Sequence, residues 1–160
     1  MSVIAVRIND GKIEVASDSI IIKDDLKRTN FKKLIRTHNM IIGGCGTAEE
    51  LSMFFDYAQE HEIEEATTQG VRDFMFDFSR TKGVYTGESK IENAYIIVVD
   101  KRVFEIDGMF VSKVQDYTAI GEGESYALAA LALGHTVEEA VGVAAKLSCF
   151  VAEPVIKFVV

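Results

Sequence analysis

Ser2-Val3-Ile4-Ala5-Val6-Arg7-Ile8-Asn9-Asp10-Gly11-Lys12-Ile13-Glu14-Val15-Ala16-Ser17-Asp18-Ser19 carries two strands and the turn between them. Residues 2–8 are rich in β-branched side chains, which suit a pleated surface, and predict a strand. Asn9-Asp10-Gly11 is a hairpin signal, because Asp and Gly accept the positive φ that a tight turn demands. Lys12 to Asp18 alternates, with Ile13 and Val15 set against Lys12 and Glu14, and predicts a strand pairing back on the first. An antiparallel sheet begun this way presents an apolar face that other elements must cover.

Next in the chain, Ile20-Ile21-Ile22 extends the β block before the charged stretch Lys23 to Arg28. Lys33 to Arg36 and Met40 to Ile42 predict two short strands, with His38-Asn39 as their turn. Gly43-Gly44-Cys45-Gly46 ends the block. Thr47-Ala48-Glu49-Glu50 predicts a capping box opening a helix whose apolar face is Leu51, Phe54, Phe55 and Ala58. Val71, Phe74, Met75 and Phe78 mark a second helix, and Thr81 to Glu92 reads as a surface loop. The continuous apolar run Asn93 to Asp100 predicts a buried strand. Arg102–Ile106, Met109–Val114 and Tyr117–Ile120 then complete a second meander, closed by Gly121-Glu122-Gly123. An alanine-rich helix (Tyr126–Leu133) stops at Gly134, and Thr136-Val137-Glu138-Glu139 is a further capping box opening a fourth helix. Pro154 precedes a terminal strand, Val155–Val160. The expected fold is α+β: a single domain over 1–160, built as a four-layer α-β-β-α sandwich of two antiparallel sheets. No linker or repeat divides the chain.

Composition excludes several classes of function. The 160 residues include 17 basic and 25 acidic side chains, a formal charge of −8. Net negative charge disfavours binding to nucleic acid or to an anionic membrane surface, both of which require phosphate neutralisation. Cys45 and Cys149 stand far apart with no CxxC, and the three histidines are scattered, so neither a disulfide framework nor a zinc site is signalled. No apolar run reaches the roughly 20 residues of a membrane-spanning helix, and no basic-then-apolar secretory signal opens the chain. The expected location is cytoplasmic.

Read in order, five stretches carry a resemblance: Ser2-Val3-Ile4-Ala5-Val6-Arg7; Ala16-Ser17-Asp18-Ser19; Lys33-Leu34; Ile42-Gly43-Gly44-Cys45-Gly46-Thr47-Ala48-Glu49; and Tyr117 through Ala127. Together they resemble the proteasome β-subunit superfamily of N-terminal-nucleophile hydrolases, of the HslV type, across almost the whole chain. The resemblance implies a peptidase whose nucleophile is the hydroxyl of the first mature residue, here Ser2 once Met1 is removed. The α-amine of that residue would act as base, since its reference pKa of about 7.7–8.0 lies close to neutrality. Asp18 and Lys33 match the family's buried acid and lysine, the ammonium favouring the deprotonated forms beside it. Gly46 would supply the backbone N–H that stabilises the tetrahedral oxyanion.

Two positions depart from the family pattern. Glu122 stands between the glycines where many members carry Ser, and a carboxylate there can hydrogen-bond the N-terminal ammonium or hold it protonated. The family's aspartate on the last helix is missing from Val143 to Cys149, with Lys146 close to its place, and a Glu122–Lys146 pair is the expected replacement. The resemblance further implies a monovalent cation, sodium, held by the backbone carbonyls of Lys146, Cys149 and Ala152, although the chemistry itself requires no cofactor. It also implies homo-oligomeric rings, polypeptide substrates and an AAA+ ATPase unfoldase, whose GxxxxGK[ST] phosphate loop this chain lacks. The alternative is a catalytically silent scaffold or binding oligomer, which Glu122 and the missing aspartate favour and which an N-terminus still carrying Met1 would support. A small-molecule amide hydrolase is a third reading, for which 160 residues leave little pocket-building material.

Overall fold

The computed structural model describes residues 2–23, 26–28 and 31–160. Met1 and part of the expected charged stretch, Asp24 and Asp25, lie outside the described residues. The chain divides into two compact units, one of Met1–Leu34 with Gln115–Val160 and the other of Ile35–Val114.

The first unit grows from the opening hairpin. Strands β1 (Ile4–Asn9) and β2 (Lys12–Ser17) pair antiparallel, with Asn9 opposite Lys12. The intervening Asp10 and Gly11 have φ of 49° and 79°, the pair of positive values that a two-residue type I′ turn needs. β10 (Tyr117–Ile120) pairs with the free edge of β1, and the terminal β11 (Ile156–Val159) with that of β2, giving the order β10-β1-β2-β11. The short strands β3 (Ile21–Lys23) and β4 (Leu26–Arg28) pair with each other.

Helices α3 (Glu124–Ala132) and α4 (Val137–Leu147) pack against this sheet through small residues. Ala127, Ala130, Ala140 and Ala144 meet Val3, Ala5, Ala16 and Ala119 in one buried cluster. Side chains this small let helix and sheet backbones approach closely at native packing density. The α4 start is the predicted capping box: Thr136 accepts from the Glu139 N–H, and the Glu139 carboxylate accepts from the Thr136 N–H.

In the second unit β5 (Leu34–Thr37), β6 (Met40–Cys45), β7 (Ala94–Val99), β8 (Arg102–Asp107) and β9 (Phe110–Val114) form one sheet in chain order. Helices α1 (Ala48–Glu60) and α2 (Thr68–Thr86) complete the unit. Its core centres on Phe54, whose ring lies 4.4 Å from Tyr95, 4.7 Å from Phe78 and 6.0 Å from Phe74, centroid to centroid. Among the described residues two larger antiparallel sheets, the two-stranded β3–β4 pair and four helices make the chain α+β, as the sequence predicts.

Three local expectations are corrected. Tyr117–Ile120 does not extend the second meander but crosses to pair with β1. Thr81 to Thr86 is not loop: α2 continues through it to Gly87, because Lys82 faces inward to an acidic partner. Thr47 makes no side-chain cap at α1. Its capping-box partner Glu50 is instead buried and bonds to Lys82, Tyr95 and two backbone amides.

Candidate active site

Antiparallel register brings the expected residues of the first unit together. Ile4 lies opposite Ser17, so one step toward the chain start Val3 meets Asp18. The Asp18 N–H donates to the Val3 carbonyl at 3.3 Å, and the Val3 N–H donates to Asp18 Oδ1 at 2.9 Å. Lys33, just ahead of β5, donates from Nζ to Oδ1 at 2.9 Å and to Oδ2 at 2.8 Å. The Ile20 N–H adds a longer bond to Oδ2 at 3.4 Å.

All three residues are sealed from water: Ser2 is 3% exposed, Asp18 0% and Lys33 1%. Burying two charges costs several kcal/mol per ion unless each is paired and hydrogen-bonded. Asp18 meets that condition, since one carboxylate takes an ammonium and two backbone amides. The Val3 amide and the Lys33 ammonium share a single oxygen, so the ion pair stands one peptide unit from Ser2.

Ser2 is fixed from the other side by Gly123, whose N–H donates to the Ser2 carbonyl at 3.1 Å. A Cβ on Gly123 would stand 2.8 Å from Val151 Cγ2, 3.0 Å from Val3 Cβ and 3.1 Å from Ala144 Cβ. Branched side chain and backbone-proximal carbons cannot swing away, so no larger residue fits beside the chain start. Gly123→Ala is expected to cost about 1–3 kcal/mol through overpacking, read as a lower urea midpoint. An unchanged midpoint would mean that Val3 and α4 yield freely there.

Ser19 ties this corner to the C-terminal segment. Its N–H donates to the Ala152 carbonyl at 3.3 Å, its hydroxyl to the Pro154 carbonyl at 2.7 Å, and its own carbonyl accepts from the Phe31 N–H at 3.0 Å. Nothing in the sequence distinguishes Ser19 from an ordinary turn serine. Lys146 lies in the last turn of α4 and Cys149 just beyond it, both exposed. Of the three carbonyls expected to hold a cation, that of Ala152 already takes one hydrogen bond and keeps a second lone pair.

Glu122 is exposed on the turn between β10 and α3. Among the described residues no ion pair joins it to Lys146, which corrects the expected Glu122–Lys146 replacement. Two exposed, solvated side chains gain little from pairing.

Gly46 belongs to the second unit, directly after β6, with φ of 143°. Its neighbour Thr47 is gripped by Asn93: the Thr47 N–H donates to Asn93 Oδ1 at 2.7 Å, and Asn93 Nδ2 donates to the Thr47 carbonyl at 2.9 Å. Asn93 in turn hangs from Glu50, whose Oε1 accepts the Asn93 N–H at 2.9 Å and the Tyr95 hydroxyl at 2.9 Å. Glu50 Oε2 accepts from Lys82 Nζ at 2.7 Å and from the Glu92 N–H at 3.1 Å. Burial alone would raise the Glu50 carboxyl, yet Lys82, the Asn93 and Glu92 amides and the Tyr95 hydroxyl together hold it below the ordinary range. Tyr95 moves the opposite way, kept protonated by burial and by the Glu50 charge. Sequence reading missed Asn93, Glu50 and Lys82; the one available signal was a polar Asn set immediately before an uninterrupted apolar run.

No family model matches the sequence, and no curated protein matches it. Solved structures do. BPH of Thiobacillus denitrificans, solved alone and in complex with epoxomicin, superposes with a TM-score of 0.90 at 18% identity, covering 99% of this chain and 97% of that one. Eukaryotic HslV from Trypanosoma brucei gives a TM-score of 0.74 at 18% identity over 98% of each chain. Anbu, an ancestral beta-subunit from Yersinia bercovieri, gives 0.78 at 13% identity over 98% of this chain and 80% of that chain. The chain has the HslV and proteasome-β fold. Among the described residues no helix is long and apolar enough to cross a membrane.

Proposed function

We propose that the chain is a peptidase subunit that cleaves peptide bonds with Ser2 as N-terminal nucleophile once Met1 is removed. The observation that carries this reading is the buried Asp18 carboxylate, which bonds Lys33 and the Val3 amide at once. With Met1 attached, the Ser2 nitrogen is an amide and cannot accept a proton. Once it is freed, the amine takes the hydroxyl proton as Oγ bonds to the substrate carbonyl carbon. The oxyanion formed is stabilised by the Gly46 N–H. The amine then returns the proton to the leaving nitrogen as the C–N bond breaks, leaving an ester on Ser2. Water, deprotonated by the same amine, attacks the ester and regenerates the hydroxyl. Lys33 lowers the cost of negative charge at Oγ, and Asp18 holds Lys33 in place.

Homo-oligomeric rings that enclose the nucleophiles, polypeptide substrates and an AAA+ ATPase partner belong to the same reading, supported by the fold. A sodium ion on the carbonyls of Lys146, Cys149 and Ala152 would steady the segment that Ser19 ties to Asp18, and no chemical step passes through it. The second reading is a scaffold without chemistry, favoured by the exposed Glu122, which among the described residues makes no ion pair with Lys146.

Turnover of fluorogenic peptides by protein beginning at Ser2, compared with Ser2→Ala, separates the two. A loss of at least about 1,000-fold is expected on removing a nucleophile. Equal turnover removes Ser2 from the mechanism, and no turnover by an oligomer whose N-terminus is correctly exposed favours the scaffold.

A further inference from the structure

The buried Glu50–Lys82 pair and Asn93 take no part in the proposed chemistry, yet they form the most densely bonded polar cluster of the second unit. Their geometry explains what they do. β6 and β7 are paired as far as Cys45 opposite Ala94, and the next residue on each strand is Gly46 and Asn93. At that point the backbone ladder stops. The Asn93 side-chain amide replaces it, offering one acceptor and one donor to the N–H and C=O of Thr47, as a neighbouring strand would.

Gly46 is shaped by the same side chain. A Cβ on Gly46 would lie 1.9 Å from Asn93 Oδ1 and 2.4 Å from its Cγ, and the φ of 143° is one that L side chains rarely adopt. Asn93 is itself 1% exposed and cannot drift, because Glu50 fixes its backbone N–H and Lys82 fixes Glu50. The chain of bonds therefore runs from a buried ion pair, through one carboxylate and one side-chain amide, to the Gly46–Thr47 peptide.

We propose that Asn93 is a positioning residue that, by clamping Thr47 and walling in the Gly46 Cα, fixes Gly46 and so aims its N–H, which belongs to the preceding Cys45–Gly46 peptide, with the Glu50–Lys82 pair as its anchor. The inference rests on the assignment of the Gly46 N–H as oxyanion donor. A donor aimed at a transition-state charge is effective only when it is held in place before the charge develops. Deleting the clamp leaves the donor present but loosely aimed, so the loss falls on the chemical step rather than on substrate binding.

The test uses the oligomer beginning at Ser2, with Asn93→Ala and the isosteric Asn93→Asp, which keeps the Oδ1 acceptor. Hydrogen exchange at the Thr47 amide reads the clamp directly, and steady-state kinetics on a fluorogenic peptide read its consequence. Asn93→Ala is expected to accelerate Thr47 exchange and lower kcat at least about 10-fold with KM changed less than about 2-fold. Asn93→Asp is expected to retain Thr47 protection and recover part of kcat. Should Asn93→Ala fail to fold, the Asn93→Asp comparison carries the test, and an unchanged kcat there with the Thr47 carbonyl bond lost overturns the proposal. Accelerated exchange with unchanged kcat overturns it while leaving the peptidase reading intact. Wild-type turnover equal to that of Ser2→Ala overturns the peptidase reading itself, and the positioning role falls with it.

Discussion

Asp18→Ala loses about 3–5 kcal/mol of stability, because it takes the carboxylate away from a Lys33 ammonium that has almost no access to water. The same substitution deprives the Val3 N–H of its 2.9 Å acceptor. Asp18→Asn should be milder, since the amide oxygen still accepts from Val3 while the charge is gone. Pairing Asp18→Ala with Lys33→Met should recover part of the loss, as apolar groups of similar volume tolerate that burial better than an ammonium deprived of its carboxylate does. Urea titration followed by circular dichroism supplies the numbers. If Asp18→Ala and the double variant unfold at the same midpoint, the ion pair is not what stabilises this corner.

The second large effect belongs to Glu50. Its carboxylate serves Lys82, the Asn93 and Glu92 amides and the Tyr95 hydroxyl, so Glu50→Ala removes an acceptor shared by four donors and should cost about 3–5 kcal/mol. Lys82→Met should cost less: Glu50 would keep three neutral donors, whereas a stranded Lys82 keeps only the Lys90 carbonyl. The pH dependence has a definite sign. Because the folded carboxyl lies below its ordinary value, its contribution is complete above about pH 4.3 and disappears as pH falls through the lower folded value. Stability measured by urea titration should therefore decline on acidification through that window, and Glu50→Gln should flatten the decline. A wild-type slope identical to that of Glu50→Gln would show that Glu50 is not the titrating group.

Much of the scaffold was legible because its signals are short-range. Asp10-Gly11 predicted the β1–β2 hairpin, and the turn carries the two positive φ values expected. Thr136 and Glu139 predicted a reciprocal cap, and both bonds are made. The pairing of Asp18 with Lys33 is legible through resemblance alone, since a carboxylate after a strand and a lysine before one are commonplace residues.

What escaped was non-local. The two-residue link Gln115-Asp116 looks like another hairpin turn, but β10 pairs with β1, more than a hundred residues away in sequence. Glu50 has the spacing of a capping residue, yet its carboxylate is taken by Lys82, the Tyr95 hydroxyl and two backbone amides rather than by the exposed helix amide of Thr47. Gly83 and Lys82 look like loop composition, and the α2 helix persists because Lys82 has Glu50 to reach.

Turns, caps, strand and helix periods and hence the α+β class follow from the order of residues alone, because each depends on φ preferences and side-chain spacing within a few residues. Which strand edges meet and which polar groups share a buried site emerges on folding, because desolvation makes an ion or amide select its partner by proximity in space.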